Sequence, residues 1–221
     1  MKALRHELRR LLALWWSLPL LLLAEGFLVF YFYRLTEGGR EAADCLLLLF
    51  ADKKYHALAY AVLALVPLGT DVAARMDRAE RMAGRSDTAF FGRKLALFYL
   101  GVLLLEAVYT AACFLLRGLP ASLLGSLSAG TVFTRLLLDL ATAAPFFVIQ
   151  ALAPTITVML LADGFVLIVW LTVYDAHLEE WYMAVRYGSA LPLSWALLPV
   201  AIVAATLPAV SAGRLLQKKH W

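Results

Sequence analysis

The sequence predicts an all-α integral membrane protein with six transmembrane helices. Of its 221 residues, 63% are hydrophobic and 16% are charged, whereas soluble domains are roughly 45–50% apolar and about 25% charged. The mean hydropathy is +0.78, and the apolar residues form long runs, as helical spans of roughly 20 residues require. These runs are continuous and do not alternate with a period of two, which argues against a β-barrel.

The six apolar runs are ended by charged or turn-forming residues. The predicted spans are about 14–33, 55–70, 95–116, 133–152, 156–174 and 195–213. The fourth and fifth spans are separated at Pro154, because proline disfavours helix in the residue before it. The basic start of the chain looks like a signal peptide. We interpret it as a retained span, since its apolar run is too long and no small-x-small cleavage site follows.

The distribution of Lys and Arg predicts the orientation. With a cytoplasmic N-terminus, the inner segments carry thirteen Lys and Arg residues. The outer segments with their flanks, 34–54, 117–135 and 175–194, carry seven. This bias, together with the even number of spans, predicts that both termini lie in the cytoplasm. We expect the chain to be integral to the plasma membrane. Residues 1–13 place leucines on one helical stripe, which is typical of an interfacial amphipathic helix. Residues 175–194 are predicted to form an amphipathic helical loop on the outer side.

A charged segment at 71–94, "DVAARMDRAERMAGRSDTAFFGRK", connects the second and third predicted spans. It holds six of the twenty Lys and Arg residues and four of the sixteen acids. It is longer than most connections between helices. The pattern predicts a short charged helix, a bend near Gly84, and a segment that brings Phe90 and Phe91 to the membrane interface. The alternative is a solvated loop whose cations only determine topology.

This layout resembles the permease subunits of type-2 ATP-binding-cassette (ABC) exporters. Those permeases have an inner amphipathic helix, six spans, and a coupling helix between spans two and three. Their motif of an acid–basic pair, a glycine, a Ser-Arg element and a Gly-Lys has counterparts at Glu80–Arg81, Gly84, Arg85–Ser86 and Gly92–Arg93–Lys94. The usual proline before the Ser-Arg element is absent, the order of Arg and Ser is reversed, and the spacing is shorter.

The resemblance implies a transport subunit that is not itself an enzyme. No G-x-x-x-x-G-K-[ST] motif is present, so ATP and Mg²⁺ would bind to a separate ATPase subunit, and this chain would bind no cofactor or metal. A second permease subunit, identical or homologous, would complete the pathway. The residues predicted to couple to the ATPase are Arg78, Glu80, Arg81, Gly84, Arg85, Phe90 and Phe91. The two phenylalanines would anchor the segment at the membrane interface or in a groove of the ATPase.

Four acids lie inside predicted spans: Glu25, Glu106, Asp139 and Asp163. An ionisable group at that depth costs roughly 2.5–3.5 kcal/mol on insertion scales, so it normally faces protein or water. These acids either line a substrate path or are protonated or hydrogen-bonded to neighbours. The sequence analysis identifies no basic residue at a span centre to pair with them, which disfavours a charge-relay transporter.

Other functions stay open on the sequence alone. A six-span secondary transporter or a membrane scaffold without an ATPase is the main alternative, and an intramembrane enzyme is a weaker one. The sequence has no H-E-x-x-H motif, and its histidines lack metal-ligand spacing. The excess of Arg on the inner side is better explained by topology than by nucleic-acid binding. Cys45 and Cys113 are expected to be two unrelated thiols, although a bridge between them is conceivable.

Overall fold

The computed structural model describes residues 17–51, 54–69, 71, 75, 82, 84, 86–126, 129–186 and 193–219. The regular structure of these residues is helical. The seven α-helices are α1 (Ser17–Thr36), α2 (Ala42–Ala51), α3 (His56–Ala64), α4 (Asp87–Arg117), α5 (Ala129–Leu152), α6 (Ile156–Arg186) and α7 (Leu193–Lys219). The predicted interfacial helix at 1–13 lies outside the described residues, as does most of 71–86.

Three of these helices are long and apolar enough to cross a membrane. Their candidate spans are Pro19–Thr36 in α1, Asp87–Arg117 in α4 and Arg135–Leu152 in α5. Shorter apolar stretches occur at Ile156–Thr172 in α6 and Pro199–Leu215 in α7. The described residues therefore form an all-helical protein with several membrane-spanning candidates, and the count of six spans stays a prediction.

The second predicted span is short in its described part. α3 has nine α-helical residues and continues into five π-helical residues, Leu65–Gly69. At 1.5 Å per residue this stretch extends about 21 Å, which is less than the ~30 Å hydrocarbon core of a bilayer. Pro67 lies in the π-helical turn and has no N–H to donate to the helix ladder, which is a typical reason for a local change of helix type.

One short helix was not anticipated. α2, with the sequence "AADCLLLLFA", lies within 34–54, which the sequence analysis treated as an outer connection. Its ten residues would extend about 15 Å, so it is too short to span a bilayer. Leu46 and Leu49 are nonetheless buried, which shows that the helix packs into the bundle. It contacts α6 and, less extensively, α1.

α4 begins earlier than the predicted third span. Ser86 is the N-cap, and its Oγ accepts a hydrogen bond of 3.2 Å from the backbone N–H of Ala89. Residues 87–94, which the sequence analysis included in the coupling segment, are therefore the first two turns of α4. The helix ends at Gly118 (φ 60°), where N–H groups of residues 118 and 119 reach the carbonyls of Leu115 and Phe114. This is a Schellman cap, in which glycine takes the left-handed conformation.

α5 and α6 are separated at the residues where the sequence analysis placed the break. α5 ends at Leu152 and α6 begins at Ile156, and Thr155 Oγ1 accepts a hydrogen bond from the N–H of Val158 at 3.3 Å. α6 does not end near Tyr174, however. Its backbone continues as one helix to Arg186, so the first part of the predicted outer loop extends α6, the helix of the fifth predicted span.

α5 lies at the centre of the bundle, where it packs most extensively against α7 and also against α3, α4 and α6. α1 packs against α3 and α4. The core between these helices contains buried aromatic side chains, including Tyr60, Phe98, Phe146 and Phe147. Large apolar side chains also face outward, such as Leu22 (69% exposed) and Leu161 (71%). An apolar exterior around a packed core is the pattern expected of helices surrounded by lipid.

Candidate functional site

Five polar side chains from three helices meet inside the bundle. His56 and Tyr60 lie on α3, Glu106 on α4, and Arg135 and Asp139 on α5. We call these five residues the ionic cluster. All five side chains are buried inside the bundle. Glu106 and Asp139 belong to helices that carry candidate membrane spans.

Glu106 is the centre of the ionic cluster. Its Oε1 accepts a hydrogen bond of 2.5 Å from the hydroxyl of Tyr60 and lies 2.6 Å from Nδ1 of His56. Its Oε2 accepts a hydrogen bond of 2.9 Å from Nη2 of Arg135. When Glu106 is ionised its oxygens can only accept, and the proton of the His56 contact is then on Nδ1. One carboxylate therefore links α3, α4 and α5.

Arg135 connects this carboxylate with two further elements. Its Nε donates to Asp139 Oδ2 at 3.3 Å, one turn along α5. Its Nη1 donates at 2.6 Å to the backbone carbonyl of Leu49, in the last turn of α2. The last carbonyls of a helix have no partner within that helix, so the guanidinium satisfies one of them. Arg135 thus holds the unanticipated helix α2 against the bundle.

The ionic cluster has two carboxylates for one guanidinium. Charges buried together are tolerated only when they are paired and hydrogen-bonded, because each loses its hydration. Here the ring of Tyr109 lies edge-on to the His56 imidazole, with centroids 4.6 Å apart, and so shields it further. The charged side chains of the ionic cluster are therefore held by partners within the bundle.

A groove runs beside the ionic cluster between α4 and α5, with a cavity volume of about 550 Å³. Small residues on α4, Ala107, Thr110 and Ala111, leave this space open, and Leu136 forms part of the opposite wall. Three members of the ionic cluster, Glu106, Arg135 and Asp139, also line it. Leu115 at its edge is 83% exposed, so the groove opens on the outer surface of the bundle.

A second polar contact joins α5 to α6, near the end of α5. Gln150 Nε2 on α5 donates a hydrogen bond of 2.5 Å to Asp163 Oδ2 on α6. The other oxygens of both side chains, Gln150 Oε1 and Asp163 Oδ1, are buried and have no hydrogen-bond partner among the described residues. A Cβ added to Gly69 would come within 2.5 Å of Gln150 Oε1, so glycine is what allows the π-helical stretch after α3 to approach this side chain.

The ends of the charged segment are held by a buried ion pair. Lys94 Nζ on α4 lies 2.5 Å from Asp71 Oδ2, and the two side chains are 4% and 8% exposed. The ammonium group is also 5.8 Å from the ring centroid of Phe90. We call Asp71 and Lys94 the basal pair, because they join the end of the α3 region to the beginning of α4.

Phe90 and Phe91 are packed inside the bundle beside the basal pair. They are 2% and 1% exposed, and their rings meet edge to face with centroids 5.0 Å apart. The guanidinium of Arg214 on α7 lies 5.2 Å from the ring centroid of Phe91, and its Nη2 donates to the carbonyl of Ala151. Both rings are thus core residues in this conformation, and their predicted role as anchors at the membrane interface or in a groove of the ATPase stays a prediction.

Of the other predicted coupling residues, the structure describes only Gly84. Arg78, Glu80, Arg81 and Arg85 lie outside the described residues. Gly84 has φ 79°, a conformation that favours glycine, and it lies where the sequence predicts a bend.

The four intramembrane acids do not form one site. Glu106 and Asp139 belong to the ionic cluster, whereas Asp163 contacts Gln150. Glu25 on α1 is half-buried and interacts electrostatically with Cys113. Cys45 and Cys113 are both buried free thiols, as expected.

The sequence analysis was wrong to find no basic partner for these acids. Arg135 and His56 both contact Glu106, and Arg135 had been counted with the outer connection. The four-residue spacing of Arg135 and Asp139 was a signal that the two side chains share a face of α5. No group of three or more potential metal ligands occurs among the residues whose placement is described.

Comparisons with models of protein families, with curated proteins and with solved structures find no match for this chain.

Proposed function

We propose that the chain is the transmembrane permease subunit of an ABC exporter. It forms half of a translocation pathway in the plasma membrane, with both termini in the cytoplasm. A separate ATPase subunit binds ATP and Mg²⁺, and an identical or homologous permease completes the pathway. The sequence layout and the motif between Glu80 and Lys94 suggest this assignment, and the architecture of the described helices is compatible with it.

The observation that carries the proposal is the basal pair. A segment that transmits force from an ATPase must be attached rigidly to the helices that it moves. Asp71 and Lys94 are buried and 2.5 Å apart, so the two ends of the charged segment are fixed relative to each other. Displacement of the segment would therefore be passed to α3 and α4 together.

Packing around Phe91 extends this attachment to a third helix. Phe91 belongs to α4, and Arg214 of α7 lies over its ring and also hydrogen-bonds to the end of α5. Cation–π contacts of this kind contribute roughly 0.5–2 kcal/mol depending on exposure. Movement at the beginning of α4 would thus reach α5 and α7 without passing through a flexible linker.

Affinity purification of the full chain from its native membrane tests the proposal. We expect an ATPase with Walker motifs to co-purify, and the double charge reversal Arg81→Glu/Arg85→Glu to release it. Arg34→Glu is the matched control, because Arg34 is exposed and lies at the opposite end of the bundle. If the chain purifies alone, or if the control releases the ATPase equally, the proposal is wrong.

The ionic cluster favours a second candidate, a secondary transporter coupled to protons. A buried chain of Glu, His, Arg and Asp residues is typical of proton relays in membrane proteins. Vesicles that contain only this chain and an internal pH indicator would report proton movement down an imposed gradient. Proton movement that Glu106→Gln abolishes would favour this candidate, and its absence would favour the permease.

A further inference from the structure

We propose that Asp163 and Gln150 form a proton-binding site between α5 and α6, in which one proton on Asp163 Oδ1 is shared with Gln150 Oε1. The site lies outside the ionic cluster, and it needs neither an ATPase nor a transported substrate. It is therefore a property of the chain beyond its proposed function. Two unpartnered oxygens, the surroundings of Asp163 and the close approach of Gly69 point to it.

Two buried oxygens of this contact accept no hydrogen bond. Gln150 Nε2 donates to Asp163 Oδ2 at 2.5 Å, whereas Gln150 Oε1 and Asp163 Oδ1 have no partner among the described residues. An ionised carboxylate and an amide oxygen can only accept, so these two oxygens cannot bond to each other while Asp163 is charged. Leaving buried acceptors unsatisfied in this way destabilises a fold.

One proton satisfies both oxygens. Oε1 shares a carbon with Nε2, and Oδ1 shares a carbon with Oδ2, so the hydrogen bond between Nε2 and Oδ2 makes the two unpartnered oxygens neighbours. A protonated carboxyl group has one O–H donor. With the proton on Oδ1, Asp163 donates to Gln150 Oε1 while its Oδ2 still accepts from Nε2. The amide and the carboxyl group then each supply one donor and one acceptor, and the contact is neutral.

The surroundings of Asp163 favour the neutral carboxyl group. Its side chain is 5% exposed, and Gln150, its hydrogen-bond partner, is fully buried and carries no charge. Asp163 forms no ion pair with any residue whose placement is described. A buried carboxylate without a cation loses its hydration uncompensated, and such a group takes up a proton instead.

The charged groups on neighbouring elements have partners of their own. α6 packs against α2, α3, α5 and the π-helical stretch 65–69. The titratable side chains on these four elements are Asp44, Cys45, His56, Tyr60, Arg135 and Asp139. Arg135 bonds to Glu106 and lies about 22 Å from Gln150 along α5. Beyond these elements, Arg214 donates to the carbonyl of Ala151, and Lys94 is held by Asp71.

Gly69 closes one side of the site. A Cβ added there would lie 2.5 Å from Gln150 Oε1, so the π-helical stretch covers this oxygen. A water molecule needs room and several polar partners, whereas a proton needs no such space. An ionised Asp163 would have to be hydrated, which requires α6 or the π-helical stretch to move away. The packed conformation thus holds one proton more than an opened one, and low pH favours it.

Infrared spectroscopy of the full chain in a maltoside detergent, which has no carbonyl group, tests the site. A protonated carboxyl group has its own C=O stretching band, and ordinary Asp and Glu side chains are ionised at about pH 7. We expect a protonated-carboxyl band at this pH that Asp163→Asn removes. Glu37→Gln is the control, because Glu37 is 49% exposed and paired with Arg34, and it should leave the band unchanged. A spectrum without this band, or a band that Asp163→Asn leaves intact, would overturn the proposal.

Gln150→Met gives an independent check. It removes both the donor and the acceptor that face the carboxyl group, so the band should remain and shift to higher frequency. An unshifted band would place the protonated carboxyl group elsewhere in the chain. That result would reject the site even if Asp163→Asn does not fold.

The pH dependence of thermal unfolding tests the link between the proton and packing. An unfolded chain releases the Asp163 proton near the ordinary value of about 3.9, whereas the packed bundle retains it, so stability should fall as pH rises above that value. Between about pH 5 and about pH 7 the unfolding midpoint of the wild type should fall by at least about 4 °C relative to Asp163→Asn, which stays neutral. Parallel curves for the two proteins would show that Asp163 binds no additional proton in the folded state.

Discussion

Arg135 Nη2 lies 2.9 Å from Glu106 Oε2, although the two residues are 29 positions apart in the chain and belong to different helices. Both side chains are buried, at 7% and 4% exposure. The pair joins α4 to α5, and through the Leu49 carbonyl it also holds α2. It is therefore the contact whose removal should have the widest effect on the bundle.

Arg135→Met should destabilise the protein strongly. It leaves Glu106 and Asp139 buried with no guanidinium, and breaking a buried ion pair costs about 3–5 kcal/mol. Thermal unfolding in neutral detergent, followed by circular dichroism, measures this loss. Arg117→Met is the control, since Arg117 lies at the end of α4 over the ring of Tyr33, and we expect less than half of the effect. Equal losses for the two variants would contradict the central role of Arg135.

Removal of either member of the basal pair should also be costly, but removal of both should not cost the sum. Lys94→Met alone leaves a buried carboxylate, and Asp71→Asn alone leaves a buried ammonium, so each should lose about 3–5 kcal/mol. The double variant should recover about 0.5–3 kcal/mol relative to additivity. A double-mutant cycle of unfolding free energies measures this coupling. Strict additivity would show that the two side chains do not interact.

Gly118→Ala should weaken the end of α4. Gly118 has φ 60°, and a left-handed conformation costs an L-residue roughly 1–2 kcal/mol. Gly125→Ala is the control, since Gly125 has no positive φ and nothing within 4 Å of an added Cβ. Thermal unfolding of both variants should show a lower midpoint for Gly118→Ala only.

Two glycines should respond to alanine with opposite signs. At Gly69 the added Cβ would lie 2.5 Å from Gln150 Oε1, so α3 or the Gln150–Asp163 contact must shift and stability should fall. At Gly26 in α1 nothing lies within 4 Å, and Gly→Ala in a compatible helix typically adds about 0.4–1 kcal/mol. Unfolding free energies of Gly69→Ala and Gly26→Ala test this contrast. A stabilised Gly69→Ala variant would contradict the close approach of α3 to Gln150.

The all-helical class could be predicted because it depends on local composition. Continuous apolar runs and few charges are visible in the chain, and Pro154 marks the break between α5 and α6. Helix ends that depend on capping were predicted less well. Ser86 followed by Asp87 is an N-cap signal, but hydrophobicity alone placed the start of the third span at Leu95. α2 was missed because ten apolar-rich residues are too few for a span, although they are enough for a packed helix.

The ionic cluster could be predicted only in part. Glu106 and Asp139 were recognised because acids in apolar runs are unusual. Their partners depend on tertiary structure: His56 is 50 positions from Glu106 in the chain, and Tyr60 is 46. No periodicity within one helix reports on contacts at such separations. The surroundings of Phe91 likewise depend on tertiary structure, because the Arg214 guanidinium near its ring comes from α7.

The basal pair also has a consequence for the entropy of complex formation. Closing a loop of roughly 15–25 residues costs about 2–3 kcal/mol of chain entropy, apart from a constant. Because Asp71 and Lys94 are already in contact, this entropy loss is part of the free energy of folding and not of the free energy of binding a partner. A protein that binds the segment between them therefore encounters a closed loop with fixed ends, and its affinity is not reduced by the work of closing it.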